Sequence, residues 1–132
     1  MNKPLILKKW VVIGSGPAGV TYLTQLLCKK IEPNDLMWID ESFNGGAFSK
    51  YKNVPGNTKV KTFIHWATSN SILKSLSQES SDPLNELKSL DPEKSCNLGI
   101  VHKLISNYTN QLRKIVHSKQ AKVTKLEFDK FI

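Results

Sequence analysis

The chain has 132 residues, of which 39% are apolar and 23% charged, a size and composition typical of one soluble globular domain with its own core. No run of eighteen apolar residues occurs, so we expect no membrane span, and Lys8 and Lys9 interrupt the apolar N-terminus and argue against a signal peptide. We therefore expect a cytoplasmic protein.

The net charge of +8 raises the question of whether the chain binds nucleic acid, but 18 of the 19 basic residues are lysines spread along the chain, with Arg113 the exception. Nucleic acid is not an expected partner.

The first predicted elements form a strand–helix–strand unit. Residues 9–13, "KWVVI", are typical of a buried parallel strand, and residues 17–30 have helical periodicity with Tyr22 and Leu23 on the expected apolar stripe. Cys28 falls on this helix and is expected in the core. The turn "EPND" then leads into a second strand, "LMWID", at 36–40. Together these segments have the length of one βαβ unit.

The next segment, residues 41–62, is predicted to be a long loop, because Gly45-Gly46 and Pro55-Gly56-Asn57 interrupt regular structure. It holds the densest lysine cluster, which we interpret as a solvated surface or, alternatively, as a site that attracts an anionic ligand. The cluster consists of Lys50, Lys52, Lys59 and Lys61.

Helices are predicted over 63–80, from Asp82-Pro83 to a stop at Asp91-Pro92, and over 102–118, followed by a strand at 121–128. The two cysteines lie far apart and the three histidines have no metal-ligand spacing, so neither a redox dithiol nor a metal site is expected.

The glycine-rich turn between the first strand and helix carries the clearest chemical signal. Gly14 allows the chain to leave the strand sharply, Gly16 leaves room for a phosphate beside the backbone, and Gly19 allows close packing of helix on sheet. The helix N-terminus offers unpaired amides to an anion, and Pro17 presets its first φ. Asp40, 26 positions after Gly14, is our preferred ligand for an adenosine ribose, with Glu41 as the alternative. A glycine turn that binds nothing is the competing interpretation.

The segments "VVIGSGPAGV" and "WIDESFNGG" resemble the N-terminus of FAD-dependent oxidoreductases of the glutathione-reductase-like class, which includes flavin-containing monooxygenases. The resemblance implies a Rossmann-like, three-layer α/β domain of the FAD/NAD(P)-binding type with a parallel sheet, truncated before completion, which holds FAD. It implies that the Gly-x-Gly-Pro-Ala-Gly turn, with Pro17 and Ala18, holds the FAD pyrophosphate, and that Gly45 and Gly46 pass near the flavin side. The spacing of that pair supports Asp40 as the family's acid.

The resemblance is looser beyond residue 48. It places loop residues around the isoalloxazine ring, with a plain surface loop as the alternative. These candidates are Phe48, Tyr51, Asn53, Val54, Asn57 and Thr58. Family members are usually several hundred residues long and have a second nucleotide domain for NAD(P)H, so we expect residues 1–132 to be a single, partial FAD domain. An incomplete sheet would leave an open edge, and self-association is expected there.

Three functions remain open at this point. The first is the FAD-binding part of a flavin-dependent oxidoreductase or monooxygenase that uses NAD(P)H as co-substrate. The second is a non-catalytic module that binds NAD or ADP, and the third is a structural remnant that pairs with another chain. Catalytic residues are unknown; His65 is the only histidine in the region expected to approach the flavin, and a packed or exposed role is preferred for it.

Overall fold

The computed structural model describes residues 7–79 and 82–127, which fold into an α/β arrangement. The strands are β1 (Trp10–Ile13), β2 (Leu36–Asp40), β3 (Pro55–Lys59), β4 (Ser95–Asn97) and β5 (His117–Gln120). The helices are α1 (Pro17–Cys28), α2 (Val60–Ala67), α3 (Ser71–Glu79), α4 (Asp82–Lys88) and α5 (Leu98–Leu112). Two 3₁₀ helices, Pro33–Asp35 and Gly46–Lys50, lie in the connections.

The main sheet has the strand order β1-β2-β5, and both pairs of neighbouring strands are parallel. In its register, Val12 lies opposite Trp38 and Ile39 opposite Lys119. β3 and β4 form a separate antiparallel pair. A parallel sheet with helical crossovers is compatible with the Rossmann-like fold expected from the sequence.

The core lies between the sheet and the helices. Val12, Leu36 and Trp38 are buried on the helical face, where Leu23 of α1 and Leu104 of α5 are also buried. Alternation along the strands sends their other side chains to the opposite face, where Val11 and Ile13 are exposed and Met37 and Ile39 half-buried. The described residues therefore form two layers, and the expected third layer is not among them.

Helix boundaries differ from the prediction in two places. The helix expected over 63–80 is divided into α2 and α3, because the side chain of Asn70 accepts the amide of Leu73 at 2.8 Å and starts a new helix. The helix expected over 102–118 is α5, which begins and ends earlier. The helix expected at Asp82-Pro83 is confirmed as α4.

The last strand also differs from the prediction. β5 is His117–Gln120, which pairs with β2, whereas residues 121–127 have no regular secondary structure and residue 128 lies outside the described residues. The strand predicted from the hydrophobic pattern "AKVTKLEF" is therefore wrong. The mainly polar sequence "HSKQ" forms the strand because β2 offers a free edge at that point.

The expected apolar stripe of α1 is also partly wrong. Cys28 and Tyr22 are exposed, and the buried residues are Val20, Leu23 and Thr24. The Thr24 hydroxyl donates to the carbonyl of Val20 at 2.9 Å, so this polar side chain can be buried within the helix surface.

Candidate nucleotide-binding site

The candidate site starts at Gly14, where the chain leaves β1. Gly14 has a φ of +112°, a backbone conformation that residues with a side chain rarely adopt. Its amide donates to the carbonyl of Ile39 at 2.8 Å, and its carbonyl accepts the indole N–H of Trp38 at 2.6 Å. The buried end of β2 therefore holds the turn in place.

Gly19 brings α1 against this turn. A Cβ built at Gly19 would lie 2.1 Å from the carbonyl oxygen of Gly14, a distance that no side chain can tolerate. Helix and strand therefore approach each other more closely at this point than any other residue type would permit.

Gly16 caps the N-terminus of α1. Its backbone is extended, its carbonyl accepts the amide of Val20 at 3.0 Å, and no side chain caps the first turn. Pro17 is the first helical residue and the exposed Ala18 follows it. The first amides of such a helix lack intrahelical acceptors, so this end carries partial positive charge toward the carboxyl edge of the sheet.

The structure brings the double glycine to the glycine turn. A Cβ at Gly16 would lie 3.8 Å from the carbonyl oxygen of Gly45, and one at Gly46 would lie 3.2 Å from the Cα of Gly16. Gly45 and Gly46 have φ values of +88° and +67°. The two segments thus meet backbone to backbone, and the tight contact is on the side of Gly46, since a Cβ at Gly16 would make only ordinary contacts.

His102 of α5 packs against the loop that carries the double glycine. Its Nε2 lies 2.6 Å from the carbonyl oxygen of Asn44, and a Cβ at Gly45 would lie 3.0 Å from its Cδ2. Sequence analysis did not select His102, because a histidine on a helix has no local signal that it contacts a distant loop.

Asp40 lies at the carboxyl end of β2, next to the glycine turn. Its Oδ2 accepts the amides of Ser42 at 3.0 Å and of Phe43 at 2.7 Å, so part of this carboxylate orders the turn that follows the strand. The ring of Phe43 packs at 4.9 Å from that of Trp38, and the guanidinium of Arg113 lies 4.2 Å above it. Glu41 is exposed at the same edge.

Ser15 adds a polar group that sequence analysis missed. Its side chain lies within the glycine turn and is 1% exposed, and its hydroxyl has no hydrogen-bond partner within the described residues. Above the neighbouring Gly14, a Cβ would meet no atom within 4 Å. The turn therefore contains open space at Gly14 and, separately, a buried hydroxyl that no described residue satisfies.

The predicted ring-contacting residues differ in how far they are buried. Phe48 is half-buried against the core, whereas Asn57 is exposed on β3. Tyr51, Asn53 and Val54 are exposed as well.

Thr58 lines an entirely apolar cavity of about 220 Å³. Pro17, Phe63 and Trp66 also line it, so the cavity borders the start of α1. The indole of Trp66 donates to the hydroxyl of Thr21 at 2.7 Å, which fixes the ring. His65 is exposed and is not among the residues that line the cavity.

The lysine cluster is partly neutralised. Lys59 and Lys61 contact the two carboxylate oxygens of Glu93 at 3.0 and 2.8 Å. Hydrogen bonds from Lys61 and Lys59 lower the pKa of Glu93 below its usual value of 4.5.

Among residues 7–79 and 82–127, no group of three or more histidine, cysteine or acidic side chains is arranged to hold a metal ion.

No known family model and no solved structure matches the chain. A curated relative does: 91 residues are 31% identical to Monooxygenase AgnR1 of Paecilomyces divaricatus. The match covers 67% of this chain and 23% of that protein, so the chain spans about a quarter of the relative's length. In the part of the chain that the structure describes, none of the helices has the length and apolarity to cross a bilayer. The chain is thus distantly related to a protein named as a monooxygenase and has a parallel α/β fold.

Proposed function

We propose that the glycine turn binds the diphosphate of a dinucleotide, FAD in the first instance, and that the chain serves NAD(P)H-dependent redox chemistry of the monooxygenase kind. One observation carries the proposal. Gly14, Gly16 and Gly19 lead from a parallel strand into an α1 N-terminus that no side chain caps, at the carboxyl edge of the sheet.

The residues at the turn fit a diphosphate. The open space above Gly14 leaves room for its oxygens, and the first amides of α1 are donors without a side-chain cap. Pro17 contributes no amide but holds the first helical φ.

The adenosine side would meet the end of β2. Glu41 is exposed there and can accept a ribose hydroxyl. Asp40 keeps the adjoining turn closed through Oδ2 and can accept a second hydroxyl only through its other oxygen. An acid at this place favours a ribose without a 2′-phosphate.

Phe48 and Asn57 remain predicted contacts of the ring portion. The apolar cavity beside Pro17, with Phe63 and Trp66 on its wall, offers further aromatic surface at the same end of α1. Bound FAD would supply the hydride and electron transfer, while the role of this chain is to bind and orient it.

The test is a titration of the purified chain with FAD, followed by flavin absorbance and fluorescence and by calorimetry. Gly16→Val is the diagnostic variant, because its methyl groups would enter the space between the turn and the double glycine. Ala47→Val is the matched control, since Ala47 is exposed beside Gly46. We expect FAD binding in the wild type and in Ala47→Val, and its loss in a folded Gly16→Val variant. Unchanged binding in Gly16→Val would exclude the turn as the site.

The second candidate, a non-catalytic NAD or ADP module, is favoured by one observation. The contacts proposed for the glycine turn, Asp40 and Glu41 all involve the ADP-like half of a dinucleotide. Calorimetry with ADP, NAD and FAD distinguishes the two: an affinity for FAD no higher than for ADP or NAD supports the binding module, and a preference for FAD supports the flavin protein.

A further inference from the structure

The turn that follows β2 contains a residue in an unfavourable backbone conformation. Phe43 has a φ of +53°, in the left-handed region that bulky side chains rarely occupy. It comes directly after the segment that carries Asp40 and Glu41, the acids proposed to accept the ribose hydroxyls. Such a conformation persists only where the surrounding contacts enforce it, and residues of this kind are concentrated at functional sites. The contacts of Phe43 therefore decide the shape of this turn.

The backbone and the ring of Phe43 are both held. Its amide donates to Oδ2 of Asp40 at 2.7 Å. Its ring is 6% exposed and packs against the indole of Trp38 at nearly a right angle, with 4.9 Å between the ring centroids. The same indole donates to the carbonyl of Gly14 at 2.6 Å. Trp38 therefore joins the turn after β2 to the glycine turn.

Arg113, at the end of α5, contacts the face of the Phe43 ring. Its guanidinium carbon lies 4.2 Å from the ring centroid, and its Nε donates to the hydroxyl of Ser118 at 3.2 Å. Ser118 lies opposite Trp38 in the register of β2 and β5. The Phe43 ring is therefore held both by an indole of β2 and by a guanidinium that β5 orients.

The residue type at position 113 fits this contact. Arg113 is the only arginine in the chain, and a planar guanidinium can lie over an aromatic ring while one of its N–H groups donates elsewhere. A lysine would carry the same charge but has no plane to stack on the ring. Lys114, the next residue, is also exposed. Stacking and hydrogen bonding, rather than charge, therefore distinguish Arg113 from its neighbour.

The turn in turn orients the acidic groups. The main chain of Asp40 is held by the sheet, because its carbonyl accepts the amide of Ala121 at 2.9 Å. The direction of its carboxylate is set by the amides of Ser42 and Phe43, which both donate to Oδ2. Holding Phe43 therefore holds this carboxylate, and with it the segment that carries Glu41.

We infer that Arg113 is a positioning residue for ribose recognition. Through its contact with Phe43 it holds the turn in the shape in which Asp40 and Glu41 accept the ribose hydroxyls. This role rests on the proposed function, namely that the glycine turn binds a nucleotide diphosphate. It determines how well the site distinguishes a ribose from a sugar without hydroxyls, and it leaves the contacts of the diphosphate unchanged.

The test is calorimetric titration of the full chain with ADP and with dideoxy-ADP, whose ribose lacks both hydroxyls. Both ligands carry the same diphosphate, so the ratio of their affinities isolates the hydroxyls, and a change in the charge of the protein cancels. We expect the wild type to prefer ADP about tenfold, the effect of a hydrogen bond to a charged acceptor. Arg113→Ala should lower this ratio to about twofold or less, because the acceptors are no longer held in place.

Lys114→Ala is the matched control, because it also removes one exposed positive charge just after α5. It should leave the ratio at its wild-type value. Circular dichroism checks that both variants fold, and a general loss of structure would weaken the two ligands equally without changing their ratio.

The possible failures are distinguishable. If ADP binds but the wild type shows no preference over dideoxy-ADP, or if Arg113→Ala keeps the wild-type ratio, the positioning role is wrong and diphosphate binding still stands. An equal fall of the ratio in Lys114→Ala would also overturn the role, since charge alone would then explain the effect. If the wild type binds neither ADP nor FAD, the proposed function is wrong, and the role of Arg113 is wrong with it.

Discussion

The carboxyl end of β1 and its outer edge differ in how closely other backbone segments contact them. At its carboxyl end, the Gly14 amide and carbonyl are both bonded, and Gly19, Gly16 and Gly46 bring three backbone segments into contact. Along its outer edge, no strand of the described residues pairs with Val11 and Ile13, which are 53% and 47% exposed. The same four-residue strand therefore contributes tight backbone packing at one margin and, at the other, backbone groups that no described strand pairs with, so substitutions a few residues apart should have very different effects.

The largest effect is expected at Gly19. Gly19→Ala places a methyl group 2.1 Å from the Gly14 carbonyl oxygen, and both partners are held by the sheet and by Trp38, so helix and strand must separate. We expect a loss of about 3 kcal/mol or more in the free energy of unfolding. Chemical denaturation followed by circular dichroism measures it.

Gly16→Ala is the control for Gly19→Ala, because its Cβ would meet only ordinary contacts at 3.8 and 3.9 Å. A similar loss of stability in both variants would contradict the account of the turn.

The next largest effect on stability is expected when two neighbouring valines, on opposite faces of β1, are compared. Val12 is 8% exposed and packs in the core, whereas Val11 is 53% exposed on the open face. Val12→Ala should cost about 2 kcal/mol and Val11→Ala about 0.5 kcal/mol or less. Denaturant midpoints of the two variants, measured together, check this. Equal costs would mean that the open face is covered in solution.

A smaller effect is expected at the end of β2. Asp40→Ala removes the acceptor of the Ser42 and Phe43 amides, and we expect it to cost about 1 kcal/mol of stability. Glu41→Ala should leave stability unchanged, because this side chain is exposed. If the proposed function is right, calorimetry should find that both substitutions weaken nucleotide binding. If Glu41→Ala destabilised the fold as much as Asp40→Ala, the structural role given to Asp40 would be wrong.

The smallest effect is expected far from β1, at Glu93. Because Lys61 and Lys59 lower its pKa in the folded state, its contribution to stability is complete above its usual pKa and is lost as the pH falls through the folded-state value. Glu93→Gln should therefore lower the melting temperature slightly at neutral pH and not in acid. Salt should remove the difference, since all three side chains are exposed. Calorimetric scans of both proteins at the two pH values test the sign.

The local elements around the candidate site could be predicted from sequence, whereas its assembly could not. β1, α1 and β2 lie close to their predicted bounds, because apolar strands and glycine turns act over a few residues. The contact of Gly16 with Gly46, the support from His102 and the orphaned hydroxyl of Ser15 depend on segments that are distant in the chain. The position of β5 depends on the free edge of β2, so the apolar pattern at 121–128 misled the prediction.

The amino-acid sequence by itself determined that a glycine turn joins a parallel strand to a helix, because the order of apolar, glycine and helical residues specifies that local geometry. Only the tertiary structure decided that the double glycine closes against that turn, that His102 contacts the carbonyl of Asn44, and that β5 pairs with β2 and not with β1. These features arise from packing between distant segments, where the distance between two backbones decides which atoms meet, and no local pattern encodes that distance.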